Sequence, residues 1–408
     1  MDAILESCAG LDVHQETVVA CILTGSLDQK PKKVVKTFST TTTELLALAK
    51  WLEEFNCSHV AMESTGVYWK PVWNILESCS FKQLLANSQR IKNVPGRKTD
   101  VKDAEWIAQL LRSGLIEGSF VPLHDIRDLR DLTRYRKKLV QEVTQEKNRI
   151  HKILQDANIK ITTYVSDIFG VSGRCILETL IQGETLTASK LRNMVFGPIK
   201  SKISDLMEAL NGNVRPHHRD MIRYSWNHLL YLEETIERVE RQIDECLKPF
   251  RNEVELLDTI PGVNQRAASI MIAEFGTDMS VFPNDSHLSS WSGISPGNNE
   301  SAGKKKGSKT KRGNKALKGV LCECAWAASV TRNTRLSATY WRLVKRLGKN
   351  KAIVAVAHLI LRIAYQILQT KTPYQELGTQ FIENQEKKKE QRLIKALESK
   401  GYQIVKAS

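Results

Sequence analysis

The order of apolar runs at the head of the chain limits what it can fold into. Residues 7–12 (SCAGLD), 17–24 (TVVACILT) and 33–39 (KVVKTFS) are rich in Val, Ile and Thr, with polar or Pro-containing breaks between them. Such runs predict three strands. Residues 42–55 instead place Leu45, Leu46, Leu48, Trp51, Leu52 and Phe55 at helical spacing behind a capping threonine, so a helix follows. A strand at 59–63 (HVAME), a helix at 67–78, a strand near 81–86 and a helix at about 100–112 complete the series. Strands and helices in this order predict a mixed sheet with helices on its faces.

The remaining sequence is different in texture. Residues 126–158 carry Ile126, Leu129, Leu132, Leu139, Val143, Ile150 and Leu154 on a highly charged background, and 225–250 repeat the pattern. These predict two long amphipathic helices flanking a shorter helical insert, arranged either as a bundle within one chain or as a coiled coil between copies. From 251 the chain reads as helix, Gly turn, helix (255–276), then a short helix and loops at 279–297. A Gly/Lys-rich stretch at 298–319, apolar helices at 314–330 and 350–369, and a charged helix after 380 complete it. The expected class is α/β plus all-α. The expected divisions are 1–125, a helical linker at 126–250, a mainly helical domain at 251–370 and a charged tail at 371–408.

The chain carries a net charge of +15, and residues 251–408 alone account for +13. A basic segment on a near-neutral body points to a polyanion partner, nucleic acid above all. No uninterrupted run of about 18 apolar residues occurs, so no membrane span is expected. The first residues, MDAILESCAGLDVHQ, carry acids where a signal peptide needs bases, so the protein is expected in the cytoplasm. The 8 cysteines are scattered. Cys322 and Cys324 lack a second Cys/His pair, so all read as reduced thiols, mostly buried.

Carboxylates stand where chemistry can use them. Asp12 ends one apolar strand (GLDVHQ) and Glu63 another (VAMESTG). Asp100 and Asp103, in KTDVKDAEW, sit at i and i+3 near a helix start and so share a face. A carboxylate ending a buried strand is costly unless it is paired or binds a cation. Four acids on one sheet edge would suit two Mg²⁺ ions, which favour carboxylates, water and phosphate oxygens. The competing reading is local: acids serve turns, and they favour helix N-termini. His14 reads as structural, and Tyr68, Trp69 and Trp73 as core of the helix that follows.

Residues 259–263 (TIPGV) between two apolar helices resemble a helix-hairpin-helix turn, in which Gly262 would let backbone N–H groups meet a phosphate. An ordinary helical hairpin remains open. Residues 304–318 hold eight Lys and Arg and no acid. Lys304, Lys305, Lys306, Lys309, Lys311 and Arg312 are therefore expected along a phosphate backbone. Ser301 precedes this stretch, but residue type alone does not separate it from the serines at 286, 289, 290, 292, 295 and 308.

The motifs GLDVHQ, AMESTGVYWKPVW, KTDVKDAEWIAQLL, IPGV and SGISPGNNESAGKKKGSKTKRGN occur in that order. Together they resemble the transposases of the insertion sequence 110 family, the DEDD transposases or bridge-RNA-guided recombinases. The strand order and acid placement resemble the RuvC-like branch of the ribonuclease H-like fold. The resemblance implies that Asp12, Glu63, Asp100 and Asp103 bind Mg²⁺, and that Ser301 is a nucleophile in a second catalytic domain. It implies recombination of target and donor DNA by transesterification, guided by a noncoding bridge RNA. It also implies a homo-oligomer, dimer or tetramer, whose composite sites join the DEDD domain of one subunit to the serine domain of another. Where the family shows S-G-G, this chain reads Ser301-Ala302-Gly303. The rival from the same fold is a metal-dependent junction nuclease that uses water, with Ser301 structural. A nucleic-acid-binding architectural protein is the rival from another class.

Overall fold

The computed structural model describes residues 3–64, 66–86, 100–297, 299–301, 304–307, 310, 313–378, 380–399 and 401. The chain divides into two compact units, Met1–Val121 and Pro122–Ser408.

In the first unit, β1 (Ser7–Val13), β2 (Thr17–Thr24) and β3 (Lys32–Ser39) lead into α1 (Thr42–Glu54). Then come β4 (His59–Glu63), α2 (Trp69–Leu76), β5 (Lys82–Ala86), α3 (Asp100–Arg112) and β6 (Gly118–Ser119). The sheet order is β3-β2-β1-β4-β5-β6. β1, β2 and β3 pair antiparallel, β1, β4 and β5 pair parallel, and β6 returns antiparallel to β5. Of these strands, β6 alone lies outside the expected succession, because two residues carry no periodicity.

Side-chain alternation along β1 sorts the two faces. Ala9, Leu11 and Val13 pack with Val60 and Met62 beneath Leu45, Leu48 and Leu52 of α1 and Val72 and Leu76 of α2. The opposite face places Cys8 with Cys21 and Ala61 under Ala104, Ile107, Ala108 and Leu111 of α3. Gly10 lies on this second face. A Cβ there would stand 2.3 Å from the Ala104 carbonyl oxygen and 2.4 Å from the Ala108 nitrogen. The glycine is required by this approach of helix to strand, with two alanines supplying a helix surface thin enough to match.

α3 runs antiparallel to β1. The Arg112 carbonyl accepts from the Ile4 N–H at 2.8 Å. The Cys8 thiol donates to the Ala108 carbonyl at 3.6 Å. The buried Arg112 guanidinium donates to the carbonyls of Leu5, Gly25 and Ser26, which fixes the far end of the helix.

In the second unit, α4 (His124–Asp156) and α8 (Pro216–Leu247) lie antiparallel. Arg136 donates to Glu240 at 2.7 Å near one end, and Asp156 meets His218 at 2.9 Å near the other. This pairing is made within one chain. Between them, α5 (Val171–Gln182), α6 (Ala188–Met194) and α7 (Ile203–Ala209) cover one end of the pair. There Ile176, Leu177 and Leu206 join Ile150, Leu154, Ile222 and Trp226. α8 begins well before the apolar periodicity suggests, with Pro216 opening its first turn, where proline needs no N–H partner.

Next come α9 (Arg251–Asp258), α10 (Gln265–Phe275), α11 (Asp285–Ser292), a hairpin of β7 (Asn299–Ser301) and β8 (Lys304–Gly307), and α12 (Lys315–Val330). α13 (Arg335–Leu347), α14 (Lys349–Thr370) and α15 (Gln380–Glu398) close the unit. α14 is long and apolar enough to cross a membrane by length and composition, with 56% of its most apolar window buried. Ala352, Val356, Ile360, Leu361 and Ala364 form its inward stripe. Two features depart from the sequence reading: α13 stands where no helix is expected, and the Gly/Lys-rich stretch contains a paired hairpin.

Gly10→Ala should lower stability by about 2–3 kcal/mol, since helix and strand must separate to admit one methyl group. Urea unfolding of the variant against wild type measures this. An unchanged midpoint would mean that α3 sits less tightly on β1.

Candidate active site

The sheet brings two of the four expected acids together. β1 and β4 are parallel, with Leu11 opposite Met62, and the next residue on each strand is Asp12 and Glu63. Both belong to the face covered by α3. The approach of β1 to α3 steps from Cys8 at Ala108 to Gly10 at Ala104. Continuing the same antiparallel spacing leads to helix position 100 near strand position 12. Asp103 is half-buried one position before Ala104.

The Asp12 side chain is 14% exposed, and its Oδ2 lies 3.1 Å from His14 Nε2. The sequence places His14 on this side of the strand without naming a partner; the structure sets it directly against the first acid. Among the described residues, no group of three or more His, Cys, Asp or Glu is arranged to hold a metal ion. The side chain of Asp100 lies outside the described residues. The donor chemistry is uniform, since Asp12, Glu63 and Asp103 offer carboxylate oxygens and no thiol. It fits a hard divalent cation such as Mg²⁺ and not a soft one.

Ser301 ends β7 and pairs with Lys304, the first residue of β8, while Glu300 pairs with Lys305. Pro296 and Thr310 form a further bridge. Lys304, Lys305 and Lys306 thus occupy a strand, although their side chains and that of Ser301 lie outside the described residues. Ala302, Gly303, Lys309, Lys311 and Arg312 also lie outside them. Ser292 is separated from the other candidate serines by burial, and its hydroxyl donates to the Ser289 carbonyl at 2.9 Å.

A family profile described as Transposase, for the DEDD transposases of IS110, matches residues 9–159. A second, described as Transposase IS116/IS110/IS902 family, matches residues 254–342. Together they span more than half of the chain. The chain belongs to the IS110 family of transposases. No curated protein matches it. Membership makes it a DNA-processing enzyme of an insertion sequence, and the DEDD family implies a divalent metal.

The transposase anchors its serine hairpin through a network that no motif marks. Glu274, at the end of α10, is 0% exposed. Arg134 of α4 donates to both its carboxylate oxygens at 2.8 Å. Arg130 donates to the carbonyls of Ala273 and Glu274. Burial draws the Arg130 guanidinium down to about 10 while Glu274 opposes that shift; hydrogen bonding to Glu274 raises Arg134. The Asn314 side-chain amide donates to Glu274 Oε2 at 2.5 Å. Asn314 Oδ1 also caps α12 by accepting from Ala316 and Leu317. At the same place the Asn314 backbone N–H donates to the Ser292 carbonyl, and Gly313 lies against Gly293 so closely that a Cβ would stand 2.5 Å from it. Both ends of the hairpin segment are therefore held together.

Gly262 has a structural duty. Its φ is +86°, and a Cβ would meet the Ala328 nitrogen at 2.4 Å and the Cys324 carbonyl oxygen at 2.5 Å. The turn between α9 and α10 thus seats directly on α12.

Glu274→Ala should cost about 3 kcal/mol, because it leaves the largely buried Arg130 and the inward end of Arg134 without their carboxylate. Glu240→Ala removes a partly exposed partner of Arg136 and Arg266 and should cost less than about 1 kcal/mol. Parallel urea titrations compare the two; equal losses would refute the assigned difference.

Proposed function

We propose that the transposase cuts and rejoins the DNA of its own insertion sequence with Ser301 as nucleophile and a RuvC-like acid set as its metal site. The observation that carries this reading is the register of Asp12 beside Glu63 under the helix that bears Asp103. Asp12, Glu63, Asp100 and Asp103 would hold Mg²⁺. When bound, the metal supplies neutralisation of charge at phosphodiester oxygens.

The Ser301 hydroxyl attacks phosphorus. A bond from Oγ to phosphorus forms, one phosphorus–oxygen bond of the DNA strand breaks, and the proton passes to the departing sugar oxygen. Attack by a new strand's hydroxyl reverses these steps and releases the serine. One ester replaces another, so no nucleotide hydrolysis is required. The cationic hairpin and the turn at Gly262, read as helix-hairpin-helix, hold phosphates on either side. A noncoding bridge RNA selects target and donor DNA, and the protein acts as a homo-oligomer; these two parts follow the family resemblance.

Asp12→Ala should abolish strand cleavage in Mg²⁺ while the protein remains folded. Ser301→Ala should bind DNA normally and yield no covalent adduct on a denaturing gel with DNA from the element's ends. Adduct formation by Ser301→Ala would assign another nucleophile. Cleavage without any adduct in either protein would favour the water-using nuclease.

Lys304, Lys305 and Lys306 changed together to Gln should flatten the salt dependence of duplex binding. Each phosphate that is no longer neutralised lowers the log–log slope by about 0.9. An unchanged slope would remove β8 from the DNA interface.

A further inference from the structure

We propose that the outer face of α13, together with Trp326 of α12, binds single-stranded DNA. The inference rests on the proposed function only in that a strand-cutting transposase exposes unpaired DNA.

The first observation is charge. Between Glu323 and Glu376 the chain has nine Lys and Arg and neither Asp nor Glu. On α13, Arg335, Arg342 and Arg346 are separated by seven and four residues, and Lys345 and Lys349 flank them. Helical spacing puts these on one side. Leu336, Ser337 and Tyr340 occupy the buried side. Arg342, Lys345, Arg346 and Lys349 are all exposed. This cationic face is separate in the chain from the hairpin lysines.

The second observation is aromatic. Trp341 is 57% exposed and Trp326 is 49% exposed. Buried Tyr340 lies between them, with ring centroids 5.3 Å from Trp341 and 6.0 Å from Trp326. Large indole surface left in water beside an unbroken run of cations is chemically suited to one kind of strand. The cations follow the phosphates, and the rings stack on bases that have no pairing partner. A duplex keeps its bases stacked on one another and offers the indoles nothing comparable. α15 touches α13 and still leaves Trp341 accessible.

The test uses the whole protein and fluorescence anisotropy of a short labelled oligo(dT), the matching duplex and oligo(U). Trp341→Ala and Trp326→Ala should each weaken oligo(dT) binding by about tenfold, whereas Trp341→Phe, which retains a stacking ring, should stay within about threefold. Duplex affinity should change by less than about twofold. Arg342→Gln with Arg346→Gln should lower the single-strand salt slope by about 1.4. Undiminished oligo(dT) binding in both Trp→Ala variants overturns the proposal. So does an equal loss on the duplex, or a preference for oligo(U) that these variants abolish. Binding requires no cleavage, so failure of wild type to form a serine adduct would defeat the nucleophile assignment and leave this result intact.

Discussion

The contact between Gly10 and the Ala104–Ala108 stretch governs the first unit. Dispersion and apolar burial favour close packing, but here the approach is limited by backbone atoms alone. It fixes the height of α3 above the sheet. The buried Arg112 fixes its far end through three carbonyls, leaving little freedom to slide. The acids gain their placement from apolar packing several residues away. The fold thereby bears the cost of gathering negative charge, and a cation can offset it when bound.

The second unit solves a comparable problem with charge. Glu274 is fully buried, and its carboxylate reaches α4 through Arg134 and the start of α12 through Asn314. A buried carboxylate is destabilising by itself, and good geometry with satisfied hydrogen bonds offsets that cost. One residue thereby ties the long helix pair, the end of α10 and the base of the serine hairpin. Gly262 performs a related task by contact, where a larger residue would lift α9 and α10 from α12.

Much of the first unit is legible in the sequence because β-branched runs and helical periodicity are both strong there. The acids are visible because they interrupt apolar strands. What Gly10 is for is not visible, since a glycine in a strand does not name the element that approaches it. Glu274 has the look of an ordinary helix acid until Arg130 and Arg134, far away in sequence, reach it. β8 reads KKKG, which lacks the residues that usually announce a strand. α13 is hidden for another reason: its inward residues are few, and cations dominate its outward face. The Gly262 turn is legible as a turn, but its crowding against Ala328 and Cys324 belongs to tertiary packing.

Gly293 and Gly313 bring the two ends of the serine segment to one point, with Asn314 bonded to Ser292 across the gap. A segment closed in this way is mechanically separable from the helices that carry it. Its length can change with little strain below the closure, because loop entropy grows only slowly, by about 0.6 kcal/mol for each doubling. Variation among related elements can therefore accumulate between these glycines as insertions and deletions, while the helical scaffold beneath keeps a constant frame.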